Sequence, residues 1–427
     1  MSDRQVAVVD AAGPAERREP AAVRPTRVLA ITSEPPWPLD SGGHLRTFHL
    51  LKAIAARADL RLVCPVQPHQ EHAVAALTAA GFTLRPVLVP ARSRRSEARR
   101  LVAAVLHDEP YVMYRRHAWP AVAATWRDEL ERARPDVIYL DHLDACLYAP
   151  DPALAGAPTV IDLHNVYSLL ARRSAEEHGS RWTRLWLARE ARRLERLERQ
   201  IARSDRTIFA VSDTEVEYFR QLGASRVHAV PNGVDCAAHA DLPAGRSGPP
   251  VVMFLGTMSW GPNLAAARFL ARTVFPALSQ RVPGVSLLIV GRDPPADVRA
   301  LHGGPISVTG AVADVRPYLA RASVLAVPLE SGGGTRLKIL EAFAAGLPVV
   351  STRVGAEGLA AEGGRHYVQA ERGDFATALA DLLVRPNAGT ELAQAARALA
   401  RERYDWRAIG ARAAGHVLAV ASRATGF

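Results

Sequence analysis

Lysine is nearly missing from this chain. Among 427 residues only Lys52 and Lys338 are lysine, although lysine and arginine together number 53. Positive charge is therefore almost all guanidinium, and a lone ammonium at position 338 stands out. Cysteine is as scarce: Cys64, Cys146 and Cys236 lie far apart with no CxxC pair. That excludes a disulfide framework and a cysteine zinc site, and suits a reducing cytoplasm. No apolar run reaches the ~20 residues of a membrane-spanning helix. The first 25 residues lack the apolar stretch of a secretory signal and read as a disordered leader. The GxSxG elbow, the GxxxxGK[ST] loop and HExxH are all missing, which removes the chemistries they serve. Without a DxD pair there are no obvious carboxylate ligands for a divalent ion on a sugar nucleotide, so the expected chemistry uses no metal and no cofactor.

What is present describes a globular protein, with 48% hydrophobic and 22% charged residues. The length suits two domains of about 200 residues each. A net charge of +10 points to nucleic acid, an anionic membrane surface or anionic small substrates. No RNP, zinc-finger or KH pattern accompanies it, which argues against nucleic acid. Arginine concentrates in ARSRRSEARR (residues 91–100) and again from Arg172 to Arg206. The second stretch reads as an amphipathic helix with Trp182, Leu185, Leu187, Leu194, Leu197 and Ile201 among its charges. Two outcomes stay open: a solvated face laced with Glu–Arg pairs, or docking on anionic lipid at the inner face of a membrane.

Along the chain, short β-branched runs alternate with helical patterns. RVLAITSE leads through PPWPLDSGGHLRT to a helix from Thr47; ADLRLVCPV, PDVIYLDHL, PTVIDLHN and DRTIFAVSD follow as further strands. Periodicity is lost over residues 232–250, which fill with glycine and proline. A second series then runs through VVMFLGTMSW, VSLLIVGRD, ISVTGAV, SVLAVPLE and LPVVSTRVG. The pattern predicts an α/β protein with two Rossmann-like doubly wound parallel-sheet domains, residues 26–231 and 251–405. Residues 406–427 predict one amphipathic helix crossing back to the first domain. Ligands in such sheets sit at the carboxyl ends of the strands, so the loops there hold the candidates.

The richest loop is PLESGGGTRLKILEAFAAGLPVVST, from Pro328 to Thr352. Gly332, Gly333 and Gly334 let backbone N–H groups turn toward an anion, and a helix N-terminus follows through Thr335, Arg336 and Lys338. Glu341, two turns in, is placed to accept from a ribose hydroxyl. Gly42 and Gly43 follow the first strand. Asp141 and His142 end one strand, and His164 and Asn165 end another, where a neutral imidazole would face the crevice. Asn232 and Gly233 form a turn at the boundary; Gly256, Trp260 and Asn263 follow the first strand of the second half; Thr309, Gly310 and Asp314 make a loop against which a planar base could lie.

In order and spacing, SGGHLRT, DLHN, VSD, VPNGVD, FLGTMSWGPN, LLIVGRDP, VTGAVADV and GGGTRLKILEAFAAGLPVVST resemble the retaining GT-B glycosyltransferases of family 4. The GGGTR variant is similar to enzymes of exopolysaccharide and cell-surface glycan assembly. The resemblance implies a nucleoside-diphosphate sugar as co-substrate and a glycan, lipid-linked or small-molecule acceptor. It implies that Gly42 and Gly43 approach the donor phosphate or the acceptor, and that His164 contacts the donor sugar. Arg336 and Lys338 would neutralise the diphosphate, Glu341 would bind ribose, and the Val312 loop would hold the base. Asn165, Asp141 and His142 lie on the acceptor side. Two positions depart from the family. A glutamate usual eight residues before Glu341 is Gly333 here, with Glu330 three residues earlier. The basic pair usual after the first strand of the second domain is missing from TMSWGPN. A catalytically silent nucleotide-binding module and a nucleotide-sugar epimerase are the alternatives on the same fold.

Overall fold

The computed structural model describes residues 24–149, 156–177, 179–242, 248–332 and 336–424. Residues 1–23 of the expected leader and the residues Gly333, Gly334 and Thr335 lie outside the described residues.

The first domain is a seven-stranded parallel sheet. In chain order its strands are β1 (Arg27–Ile31), β2 (Asp59–Val66), β3 (Thr83–Leu88), β4 (Val137–Asp141), β5 (Thr159–Asp162), β6 (Thr207–Ala210) and β7 (Val227–Ala229). They lie in the order β3-β2-β1-β4-β5-β6-β7. The central strands are continuous apolar runs because helices cover both faces, leaving no side to be polar. β4, β5 and β6 are buried at every residue.

The second sheet has six parallel strands: β8 (Val251–Leu255), β9 (Ser286–Val290), β10 (Ile306–Val308), β11 (Val324–Val327), β12 (Val349–Ser351) and β13 (Val368–Gln369). Their order is β10-β9-β8-β11-β12-β13. Both sheets reverse direction beside their first strand, and the loops that leave β1 and β4, or β8 and β11, flank that switch point.

The first helix runs from Gly42 to Ala55, starting five residues before the expected Thr47. Ser41 explains this: its hydroxyl accepts from the His44 N–H at 3.2 Å and caps the helix. The glycine pair therefore forms the opening turn. The arginine-rich stretch is two helices, Tyr167–Glu177 and Arg181–Ala202. The last helix, Trp406–Ala424, packs on the Gly42–Ala55 helix; Trp406, Ile409, Ala413, Ala414 and Val417 join Phe48, Leu50, Leu51 and Ile54 in one core. The approach is tight, since a Cβ on Gly410 would stand 2.6 Å from the Ala53 Cβ.

The chain crosses between domains beside itself. The Val234 N–H donates to the Tyr404 carbonyl at 2.8 Å and the Trp406 N–H to the Val234 carbonyl at 3.2 Å. A Cβ on Gly233 would fall 2.6 Å from the Tyr404 carbonyl oxygen, so the crossing is close-packed.

Candidate active site

On the first domain the strand ends converge on a buried charge network. Arg46, one turn into the first helix, is fully buried and its Nε and Nη2 donate to Asp162 at 3.0 and 2.5 Å. Its Nη1 donates to the Val230 carbonyl at 2.6 Å and to Asn232 Oδ1 at 3.2 Å, tying the boundary turn to the sheet. Tyr139 donates to Asp162 Oδ2 at 3.1 Å, and Thr47 to Asp141 Oδ2 at 2.9 Å. His164 Nε2 lies 3.2 Å from Asp141 and 3.5 Å from Asp162. Burial pushes the Asp162 carboxyl up, but Arg46 and His164 more than offset it and hold it well below the ordinary range.

Burial also pushes His164 down, and the two carboxylates outweigh this, raising it to about 9. The ring is therefore an imidazolium at neutral pH, correcting the neutral form expected from its strand-end position. Its Nδ1 points toward Gly43, where a Cβ would stand 3.7 Å away. Asp141, expected on the acceptor side, is buried and engaged by Thr47 and His164. His142 stacks edge-on against His164 with ring centroids 4.7 Å apart and receives Tyr167 at 2.5 Å. Behind it Asp144 is buried, 3.0 Å from His117 and 3.3 Å from His142.

Asp141, Asp162 and His164 are close enough to hold a cation. Their carboxylate oxygens are already taken by Arg46, Tyr139, Thr47 and His164, and a buried guanidinium sits where an ion would compete. This donor set fits a self-contained ion-pair network better than a metal.

The second domain meets this network at the first glycine pair. A Cβ on Gly42 would stand 3.1 Å from Leu337 Cδ1, the first residue of the Leu337–Ala344 helix. Lys338 donates to Asn263 Oδ1 at 2.6 Å and lies 4.6 Å from the Phe254 ring centroid. Asn263 in turn donates to the Thr257 carbonyl at 2.9 Å. Only glycine fits at 256, because a Cβ there would stand 2.6 Å from the Asn263 side chain. Burial pushes Lys338 down to about 7, with Arg336 adding to it; burial pushes Glu341 up to about 7. Among the described residues no hydrogen bond or ion pair reaches the Glu341 carboxylate.

Arg336 is turned inward: Nη2 donates to the carbonyls of Gly332 at 2.8 Å and Val354 at 3.1 Å. This geometry ties the start of the helix to Gly332 and Val354. Val312 packs partly into the second core, and the nearby Gly310 carbonyl receives the Gly291 N–H at 3.3 Å. Glu330, the nearest glutamate before 333, pairs with Arg372 at 2.9 Å.

A cavity of about 130 Å³ opens between the domains, lined by Asn165, Leu169, Leu170, Arg173 and Glu215 of the first and Glu357 of the second. A larger one, about 600 Å³, is lined by residues such as Glu371, Asp381 and Arg385 and holds none of the candidates.

Comparison with known proteins agrees with this geometry. The chain matches Glycosyltransferase Family 4 over residues 66–238 and Glycosyl transferases group 1 over residues 249–401. It belongs to the family-4-like GT-B glycosyltransferases. The phosphatidyl-myo-inositol mannosyltransferase of Mycolicibacterium smegmatis is 32% identical over 221 residues, 47% of this chain and 54% of that protein. This GT-B chain thus aligns with about half the length of that curated relative. Among solved structures, Anabaena HepE in complex with UDP and glucose has a TM-score of 0.63 at 17% identity, over 92% of this chain and 99% of HepE. Sucrose-phosphate synthase from Thermosynechococcus elongatus has a TM-score of 0.63 at 16% identity, over 93% and 100%. At such identities the likeness shows the fold alone.

The sequence pattern did not single out four charged residues that the structure places at the cleft, Arg46, Asp144, Asp40 and Arg292, whose contacts include partners distant in sequence. Arg46 had a signal, since it shares a helix face with Leu50. Arg292 had another, as the second residue after β9.

Proposed function

We propose that the protein transfers a sugar, with retention of configuration, from a nucleoside-diphosphate sugar on the second domain to an acceptor on the first. The observation that carries this is the Gly42–Leu337 approach. It brings the N-terminal turn of one helix against that of another, with Lys338 beside it and His164 behind Gly43. Two helix N-termini and an ammonium form a favourable field for a leaving diphosphate. Glu341 accepts from ribose, Lys338 meets the phosphate end, and the Val312 loop faces the base; Arg336, expected on the diphosphate, is buried with its guanidinium on the Gly332 and Val354 carbonyls and supports the turn behind Lys338. Anabaena HepE forms complexes with UDP and with UDP-glucose, which supports a nucleotide donor.

The transition state on this reading is oxocarbenium-like. His164, as imidazolium, supplies positive charge beside the sugar rather than a base. The acceptor proton passes to a leaving-group oxygen, so no protein base is assigned. The step uses no metal, in keeping with the occupied carboxylates of the first domain. The small cavity at Asn165 and Leu169 is the acceptor entrance, and the reaction serves cell-surface glycan assembly.

A lipid-linked acceptor is supported by a separate observation. The exposed large hydrophobic residues include Leu101, Val102, Val105 and Leu106 on the Arg94–Leu106 helix and Trp182, Leu185 and Trp186 on the Arg181–Ala202 helix. Asp108 joins the two helices through Arg193 at 2.9 Å and Arg196 at 2.6 Å. The rest of the second helix is tied down, with Glu190, Leu194, Glu198 and Ile201 buried. Only its first turns are offered outward, amid arginines. Each arginine near an anionic bilayer contributes about 1 kcal/mol, enough in sum for reversible docking.

A thermal-shift screen over UDP-, GDP-, ADP- and dTDP-sugars, followed by turnover with and without acceptors, tests the central reading. Stabilisation by one donor and acceptor-dependent release of its nucleotide are expected. Binding without turnover would identify a silent module, and isomerisation without acceptor an epimerase. Co-sedimentation with liposomes tests the docking; loss of binding as anionic lipid is withdrawn is expected.

A further inference from the structure

One ion pair joins the two rims of the cleft. Arg292, in the loop after β9, places Nη1 2.6 Å from Asp40 Oδ2, and Asp40 stands two residues before Gly42. Its Nε donates to Thr257 Oγ1 at 3.3 Å. Thr257 is also the residue whose carbonyl receives Asn263, the partner of Lys338. The two cations thus flank a single residue of the loop that lacks its own basic pair. Gly291 permits this, because a Cβ there would stand 1.8 Å from the Gly256 carbonyl oxygen.

We propose that Arg292 is a ligand of the donor diphosphate and that Asp40 competes with the diphosphate for it. The proposal rests on the second domain being the donor side. Arginine suits the role, since its planar fork matches phosphate oxygens in pairs. Both partners of the ion pair are part-exposed, 39% and 45%, so solvent screens it and the contact is cheap to exchange. A diphosphate brings more charge than one carboxylate and more acceptor oxygens. Asp40 also lies 3.6 Å from His44 Nδ1, so its charge keeps a partner when Arg292 leaves. The sequence puts no cation in TMSWGPN, and the fold supplies one from the neighbouring strand.

The sign of two substitutions separates this from a simple domain strut. The probe is whichever of UDP, GDP, ADP or dTDP binds the wild type by calorimetry, with inorganic pyrophosphate alongside. Arg292→Ala weakens binding about tenfold, as for loss of one charged contact, and Arg292→Lys restores part of it. Asp40→Asn moves the other way, tightening binding about two- to fivefold by releasing Arg292. Melting temperatures of all variants confirm that each is folded. A strut predicts that both substitutions change binding in the same direction. That result, or no change in either, overturns the proposal, while Lys338→Ala in the same assay still reports whether the donor side is right. If no nucleotide binds the wild type, the donor reading falls and this proposal with it.

Discussion

The two walls of the cleft treat charge in opposite ways. In the strand-end network of the first domain each buried charge has its opposite: Arg46 with Asp162, His164 with Asp141, Asp144 with His117 and His142. On the second, Lys338 and Glu341 stand one helical turn apart, each pushed by burial to about 7, where neither charge is held firmly. A wall whose charges are matched from within is a rigid platform. A wall with groups poised between charged and neutral forms gains most from a charge brought by a ligand.

Breaking the platform gives the largest effect. Arg46→Ala leaves Asp162 buried and unpaired, and loss of one member of a buried pair typically costs about 3–5 kcal/mol. The expected outcome is a marked drop in the urea midpoint, with unfolding reported by near-ultraviolet dichroism. Lys338→Ala leaves no buried charge behind, so its melting temperature is expected to stay level or rise. Its donor kcat/KM falls by about 2–4 kcal/mol in barrier, the scale of one lost transition-state contact. Equal destabilisation by the two variants would erase the contrast between the walls.

Smaller still is Glu341→Gln, which keeps shape and loses charge. A carboxylate accepts from ribose about twice as strongly as an amide, so a rise in donor KM worth about 1 kcal/mol is expected. The pH profile sharpens the same contrast. Glu341 sheds its proton to accept from ribose, so affinity for a nucleotide sugar climbs toward about pH 7. Lys338 must keep its proton to meet the diphosphate, so affinity falls above about pH 7. The expected bell belongs to the pair of groups together. Glu341→Gln removes its acid limb and Lys338→Ala its alkaline limb, as read by calorimetry across pH 5.5–9, a range set by those two shifts.

Most of the fold was legible in the sequence because central parallel strands are written as apolar runs. β1, β4, β5, β6, β8, β9, β11 and β12 all announce themselves that way. β3 (TLRPVL) contains Arg85 and Pro86, and β7 and β13 have three and two residues, so pairing at the sheet edge defines them more than pattern does. Among site residues, glycines and strand ends were readable because position alone selects them. His164 was found, but its charge was not, since that depends on two carboxylates from other strands. The contacts of Arg292 were unreadable for the same reason: its partners, Thr257 and Asp40, lie 35 and 252 residues away.

The paired crossing at Val234 and Tyr404 has a mechanical consequence. A single connecting strand would let one domain twist, slide or tilt freely against the other. Two strands that pass side by side, hydrogen-bonded and packed around Gly233, act as the two leaves of one hinge. Twisting or sliding one domain against the other would break these bonds, whereas bending at the crossing would keep them. Because the last helix packs on the first domain, β1 and the Trp406–Ala424 helix share one body and the second domain is inserted between them. Such bending would carry Leu337 away from Gly42, so opening the cleft and separating the two helix N-termini would be one coordinate.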